Sequence, residues 1–354
     1  MRKLHHRQGN HGMASPPQTL LTSILLPPFP SPSPSASLNY FDETLIERQS
    51  ISSFPWLPIN ADNAFDLSTL SFIGGLILLS TLSLSLVLHL KLRSCRLQHL
   101  QHFNYLWTVR LLLVSFASLW ALNELLRLPI FRRDYLFPFF PDLQDLDQQA
   151  NICKVHVVLS LGFFEPGFLV TLLFLVNVSI KKRLPSRMWA LATSVCVSCS
   201  PILLLQAIFV FYSPFESQLP KLMHGSFVIQ TDVSGKKTVL CTYPFLSSAI
   251  FGAFAIAYSL AFLLSCWRVV TFVINKSIRA RIDMLVLTLM ITLPLQILCL
   301  ALTFLWSPDD FVYCCAVLAM FFCVAWLLAV GLVLLVIKPI TDALAAGCAF
   351  SEGN

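Results

Sequence analysis

Of the 354 residues, 56% are hydrophobic and only 12% are charged, and the mean hydropathy is +0.74. Soluble domains are about one quarter charged, so this composition excludes an ordinary soluble protein and indicates an integral membrane protein with little soluble mass. The formal net charge of +6 is modest, and its distribution along the chain is more informative than its sum.

Residues 1–66 are rich in proline and serine, as in "PPFPSPSPSAS" from residue 27. They show neither the period of a helix nor the alternation of a strand. This composition is typical of segments that cannot bury enough apolar surface to fold. We therefore predict a disordered, extracytoplasmic N-terminal tail that ends at residue 66.

Seven apolar stretches follow the tail, and each has about the 20 residues that a helix needs to cross a bilayer. They are 68–90, 105–129, 153–179, 187–212, 245–273, 283–306 and 312–337. The sequence therefore predicts an all-α membrane protein, with a seven-transmembrane helix bundle in residues 67–338. A short cytoplasmic tail, 339–354, completes the predicted organisation.

Basic residues cluster in every second connection between the predicted spans. The connections after spans 1, 3 and 5 carry Lys91, Arg93, Arg96, Lys181, Lys182, Arg183, Arg187, Lys276, Arg279 and Arg281. Cytoplasmic loops carry an excess of Lys and Arg, so we predict an external N-terminus and a cytoplasmic C-terminus. The candidate contacts for a cytoplasmic partner or for anionic lipid are Lys181, Lys182, Arg183, Arg279 and Arg281.

Polar residues lie in the outer third of span 2 and at the start of span 3. Glu124 and Arg127 are three residues apart and can pair along one helix, beside Asn123. His156 enters span 3 from the same side. We interpret these residues as lining a ligand cavity between spans 2 and 3 that opens outward. The alternative is ordinary interfacial polarity, with the side chains reaching the surface, as we expect of Arg110 at the inner end of span 2.

The stretch "GFFEPGF" at 162–168 puts a carboxyl, Glu165, near the midpoint of span 3. A charged carboxylate there costs at least about 2.5 kcal/mol, so the side chain must face the bundle interior. Pro166 removes a helical hydrogen bond and Gly167 adds flexibility, so we expect a kink here and a second one at Pro294. Glu165 is thus a candidate for a ligand contact or a proton-linked switch. The alternative is a carboxyl that bonds a neighbouring helix for packing alone.

Seven spans with an external N-terminus resemble a G-protein-coupled receptor. Cys153 lies in "NICKVHVV" at the outer start of span 3, and Cys241 lies in "VLCTYPF" between spans 4 and 5. In that superfamily, cysteines at these two places form a disulfide, so the resemblance implies a Cys153–Cys241 bond on the oxidising side. From the residues alone, two unrelated thiols are equally allowed. Cys348 resembles the acylated cysteine after the last span of many receptors, with a free cytosolic thiol as the alternative.

The class motifs of rhodopsin-like receptors are missing from the corresponding places. Span 3 ends in "NVSIKKR" without Asp-Arg-Tyr, span 6 reads "ITLPLQI" without Cys-Trp-x-Pro, and span 7 ends in "VIKPITDA" without Asn-Pro-x-x-Tyr. The resemblance is therefore to divergent, plant-type receptor-like proteins with seven spans. It leaves coupling to a G protein open.

Motifs for catalysis or cofactor binding do not occur in the sequence. There is no HExxH, GxSxG or Gly-rich phosphate loop, and Cys196 with Cys199 has no partner pair for a metal. We therefore expect no enzyme activity, cofactor, metal or nucleic-acid partner. The sequence predicts a receptor-like protein of the plasma membrane or an endomembrane, which senses an unknown small ligand and signals to a cytoplasmic protein. The alternatives are a membrane scaffold or assembly protein and, less favoured for lack of an internal repeat, a transporter.

Overall fold

The computed structural model describes residues 61–94, 106–181, 188–212, 225–231, 237–272, 276–306 and 310–352. All of them belong to the second of two units, Met1–Pro55 and Trp56–Asn354. Most of the predicted N-terminal tail lies outside the described residues. So do Lys182 and Arg183, as well as the side chains of Lys181 and Cys348 within their helices.

Seven long helices, which we name α1 to α7, account for most of the described residues. Their bounds are α1 Ala61–Ser94, α2 Trp107–Arg127, α3 Leu146–Leu159 with Ser160–Phe164 and Glu165–Lys181, α4 Met188–Ala207 with Ile208–Tyr212, α5 Phe245–Phe272, α6 Lys276–Leu305, and α7 Phe311–Leu332 with Val333–Ile337 and Lys338–Glu352. The five-residue segments inside α3, α4 and α7 are π-helical turns. Short helical segments join α2 to α3: Pro129–Phe131, Arg132–Leu136, Phe137–Phe139 and Pro141–Gln144.

Each of these seven helices is long and apolar enough to cross a membrane. The prediction of seven apolar spans is therefore confirmed within the described residues. Four helices, α1, α3, α6 and α7, extend past the predicted apolar stretches, because apolar composition marks the part that suits hydrocarbon and not the end of the helix. The largest extension is at α7, where the predicted tail from residue 339 continues the helix to Glu352.

Helix α3 is the most enclosed of the seven. In its most apolar stretch 72% of the residues are buried, against 22% in α4 and 28% in α1. It packs against α2, α4 and α5, while α1 packs between α2 and α7. A polar side chain on α3 therefore meets other helices rather than lipid, and this positions the candidate site.

Glycines allow α3 to approach its neighbours closely. A Cβ on Gly162 would lie 3.2 Å from Cα of Leu203 in α4, and one on Gly167 would lie 2.3 Å from the ring of Phe116 in α2. Small residues at such contacts are typical of membrane helices. We expected Gly167 to add flexibility, but in the structure it makes room for Phe116.

We expected a kink near Pro166, and a π-helical turn, Ser160–Phe164, lies directly before Glu165 and Pro166. The N–H of Glu165 donates to the carbonyl of Ser160, five residues earlier. Wide turns of this kind occur frequently at functional sites. At the second expected kink, Pro294 lies inside α6, and that helix runs from Lys276 to Leu305 without a break.

A β-hairpin lies between α4 and α5, and its strands were not predicted. Strands β1 (Phe227–Thr231) and β2 (Lys237–Cys241) pair antiparallel, with Phe227 opposite Cys241. A disulfide joins Cys153 and Cys241, whose Cα atoms are 5.1 Å apart. The bond implied by the resemblance is therefore confirmed, and it ties the hairpin to the first helical segment of α3.

Arg132, in the segment between α2 and α3, lies buried beneath this hairpin. Its Nη2 donates to the carbonyl of Val239 at 2.5 Å, and its Nη1 lies 3.8 Å from Sγ of Cys153. Burial lowers the pKa of the Arg132 guanidinium to about 10. The side chain remains charged at neutral pH and bonds the hairpin to the α2–α3 connection.

Candidate functional site

The carboxyl of Glu165 joins three helices. Trp120 Nε1 of α2 donates to Oε1 at 3.2 Å, and Ser160 Oγ of α3 donates to the same oxygen at 3.1 Å. Gln296 Nε2 of α6 donates to Oε2 at 2.6 Å. Glu165 is only 7% exposed, so these groups take the place of the water that a carboxyl would otherwise bind.

Glu124 is the second buried carboxyl of the site. Its Oε2 lies 3.3 Å from Arg127 Nε, and its side chain is 2% exposed. The pairing predicted from their spacing is therefore confirmed. Ser160 Oγ lies 3.4 Å from Oε1 of Glu124 as well as 3.1 Å from Glu165. A hydroxyl has one hydrogen and can donate to one of them at a time, so Ser160 links the two carboxyls.

His156 connects α2, α3 and the segment that follows the hairpin. Its Nδ1 lies 3.0 Å from the carbonyl oxygen of Asn123, and Asn123 Nδ2 donates to the carbonyl of His156 at 3.3 Å. A carbonyl only accepts, so Nδ1 carries the proton in this contact. Nε2 lies 3.4 Å from the hydroxyl of Tyr243. Burial raises the pKa of the Tyr243 phenol well above its usual value, so this hydroxyl stays protonated and can donate to Nε2.

The five sequence-predicted site residues come together with Ser160 in one buried group, which we name the polar cluster: Asn123, Glu124, Arg127, His156, Ser160 and Glu165. All six are less than 9% exposed. Within the described part of the chain these side chains therefore do not reach the surface, and the outward-opening cavity stays a prediction. Their side chains pack against one another because hydrogen bonds and the ion pair compensate for their burial.

A small cavity lies deeper, beside Glu165. It is bounded by α2, α3, α6 and α7, with Trp120, Phe168, Gln296 and Leu328 in its wall. The cavity has room for about one water molecule. A larger molecule would therefore require the helices around Glu165 to move apart.

Four side chains of this site were not predicted: Ser160 within the polar cluster, and its partners Trp120, Tyr243 and Gln296. Gln296 had a usable signal, because it is an amide within the apolar span 6, two residues after Pro294. The others had none. Tryptophan, serine and tyrosine are common in membrane helices and at their ends, and which of them faces Glu165 depends on helix rotation.

At the basic end of the helices, the two predicted contact residues on α6 have different surroundings. Arg279 is exposed. Arg281 pairs with Asp342 of α7, so it bonds α6 to the last segment of α7 rather than facing outward alone. Elsewhere, the described residues contain no group of three or more His, Cys, Asp or Glu that could hold a metal ion.

Comparison with known proteins gives a family without an assigned activity. Neither a curated protein nor a solved structure matches the chain. The sequence model of the uncharacterised conserved protein family UCP031277 matches residues 57–350. This match takes in α1 to α6, the hairpin, the polar cluster and all but the last two residues of α7, and the chain therefore belongs to the uncharacterised conserved protein family UCP031277.

Proposed function

We propose that the protein is a receptor-like multi-pass membrane protein and not an enzyme. The hairpin end of the helices faces the outside or a lumen, and the basic end faces the cytoplasm. A small ligand acts from the hairpin side, and the basic ends of the helices signal to a cytoplasmic protein. The observation that supports this proposal best is the carboxyl of Glu165, which joins α2, α3 and α6 through hydrogen bonds.

A continuous series of polar contacts runs from the hairpin to α6. Tyr243 follows the hairpin cysteine by two residues and contacts His156, which is bonded to Asn123 on α2. The series continues to Glu124, whose Oε1 lies 3.9 Å from Nε2 of His156, and through Ser160 to Glu165. Gln296 then connects Glu165 to α6, whose first residue lies at the basic end.

This arrangement suits a two-state element because its contacts are few, directional and shared between helices. Ser160 donates to one carboxyl at a time, so a change at Glu124 alters what Ser160 offers to Glu165. The cavity beside Glu165 holds about one water, so the closed packing is one state. Separation of α6 from α3 gives the other state.

We expect Gln296→Leu to release α6 from Glu165 and to move its basic end. The lost hydrogen bond is worth about 1 kcal/mol in a membrane protein, which changes a two-state ratio about fivefold. Pulsed electron–electron double resonance measures the change as the distribution of distances between spin labels at Leu92 and Ile278. Both positions are exposed, and labels attached without cysteine chemistry avoid the 11 native cysteines.

Gln206→Leu is the matched control for this measurement. Gln206 is also buried and donates to the carbonyl of Ser247, which joins α4 to α5 away from Glu165. We expect a second distance population in Gln296→Leu and the wild-type distribution in Gln206→Leu. An unchanged, single distribution in both variants contradicts the receptor-like proposal and favours a rigid scaffold.

A further inference from the structure

The start of α2 has hydrogen-bond donors without a side-chain acceptor. The helix begins at Trp107, the side chain of the capping residue Leu106 makes no hydrogen bond to it, and its first turn contains no acidic residue. The first N–H groups of any helix lack partners within the helix. Together with the aligned peptide dipoles they carry a partial positive charge.

Arg110 lies one turn into the same helix and adds a full positive charge. It is 6% exposed, and its Nε is buried without a hydrogen-bond partner. Within the described part of the chain, no carboxylate forms an ion pair with it. We expected this side chain to reach the membrane surface, but protein covers it. Side chains on a helix lean toward its N-terminus, so we expect the guanidinium to lie near the free N–H groups.

Lys91 brings a second cation to the same place. It lies near the end of α1, and its Nζ is 3.5 Å from the ring centroid of Trp107, the first residue of α2. No described carboxylate pairs with Lys91 either. A buried cation at a helix N-terminus is unfavourable by itself. A second cation nearby adds to that cost, so this region favours an anion.

We propose that the start of α2 is a binding site for a phosphate group, belonging to a lipid headgroup at the basic end of the helices or to free phosphate. We name it the α2 anion site, formed by the N–H groups of the first turn, Arg110 and Lys91. Helix N-termini bind phosphate through such N–H groups. A guanidinium can bond two phosphate oxygens at once, while the ammonium of Lys91 acts as a point charge. The site is independent of the receptor-like proposal.

The test uses the full chain in dodecyl maltoside, a detergent whose headgroup carries no phosphate. Thermal unfolding and the dissociation constant are measured with inorganic phosphate, with dioctanoyl phosphatidic acid, and with chloride at equal ionic strength. We expect phosphate-bearing ligands to raise Tm above the chloride value. A rise with phosphatidic acid alone identifies the lipid headgroup, a rise with inorganic phosphate alone identifies free phosphate, and a rise with both identifies the shared phosphate group.

Arg110→Leu separates a binding role from a purely structural one. Without phosphate, its Tm should equal or exceed the wild-type value, because an unpaired buried charge is removed. The phosphate-dependent rise should disappear, with at least a tenfold increase in the dissociation constant. Arg268→Leu, at an exposed arginine near the same end of α5, should respond to phosphate as the wild type does.

If Arg110→Leu fails to assemble, Arg110→Lys keeps the charge and loses the two-oxygen contact. We expect this variant to have a Tm near the wild-type value and to bind phosphate several-fold more weakly. The proposal is overturned if neither phosphate ligand raises the wild-type Tm above chloride. It is also overturned if the Arg110 variant that assembles binds phosphate as tightly as Arg268→Leu.

Discussion

Glu124→Gln should lower the free energy of unfolding by about 3 kcal/mol, because it leaves the Arg127 guanidinium buried without its carboxylate. The two side chains are 2% and 8% exposed, so water cannot replace the lost partner. The ring of Phe321, 5.9 Å from the guanidinium, offers a weaker interaction than an ion pair. Reversible unfolding in mixed micelles measures the loss.

Two comparisons make this prediction specific to an unpaired buried charge. Removal of both charges, in Glu124→Gln with Arg127→Met, should restore most of the stability, because a buried pair is often replaceable as a whole. Asp134→Asn breaks an exposed pair with Arg133, whose atoms are 2.9 Å apart. It should leave the unfolding transition unchanged. A Glu124→Gln protein as stable as the wild type would show that Arg127 does not depend on Glu124.

Gly167→Ala is the second variant with a large expected effect. The added Cβ would lie 2.3 Å and 2.6 Å from two ring atoms of Phe116. This ring is 4% exposed and packs against the ring of Phe163 at 5.6 Å, so it has little room to turn. Forced overpacking of this kind costs about 1–3 kcal/mol, and thermal unfolding in micelles measures it.

Gly252→Ala on α5 is the matched control, because its Cβ would meet a side-chain atom of Ile297 at an ordinary 3.7 Å. It should be neutral or slightly stabilising, since alanine favours a helix over glycine by about 0.5–1 kcal/mol. Phe116→Leu in the Gly167→Ala background should recover part of the loss. Equal effects of Gly167→Ala and Gly252→Ala would contradict a packing role for Gly167.

The positions of the seven helices follow from the sequence, because the number of apolar residues needed to cross a bilayer is nearly constant. The pairing of Glu124 with Arg127 was predictable for a similar reason, since residues three apart lie on one helix face. Glu165 could be placed in the bundle interior by the cost of a carboxylate in lipid. Each of these inferences depends on residue spacing within one helix or on the cost of placing a side chain in lipid.

Contacts between side chains on different helices could not be predicted from spacing within one helix. Gln296 is 131 residues from Glu165, and their hydrogen bond depends on how α3 and α6 rotate and approach each other. Gly167 was interpreted as a flexible residue because the ring of Phe116, on another helix, cannot be inferred from "EPG" alone. The hairpin is different, because the β-branched and aromatic residues of "FVIQT" and "KTVLC" on either side of "DVSG" were a usable strand signal.

In the proposed orientation the polar cluster lies toward the outside and the α2 anion site toward the cytoplasm, and one substitution tests this orientation. Asp232 lies between the two strands, outside the described residues, and is followed by Val233 and Ser234. Asp232→Asn therefore creates an acceptor sequence for N-glycosylation. The natural "NKS" at residue 275, on the predicted cytoplasmic side, serves as the internal comparison.

The direct measurement is the electrophoretic mass of the Asp232→Asn protein, made in eukaryotic secretory membranes, before and after endoglycosidase treatment. With the hairpin outside, this protein carries a removable glycan, while the wild type and the Asp232→Asn, Ser234→Ala double variant carry none. A glycan on the wild type at Asn275, with no second one on Asp232→Asn, would reverse the orientation and contradict a receptor that senses from the hairpin side.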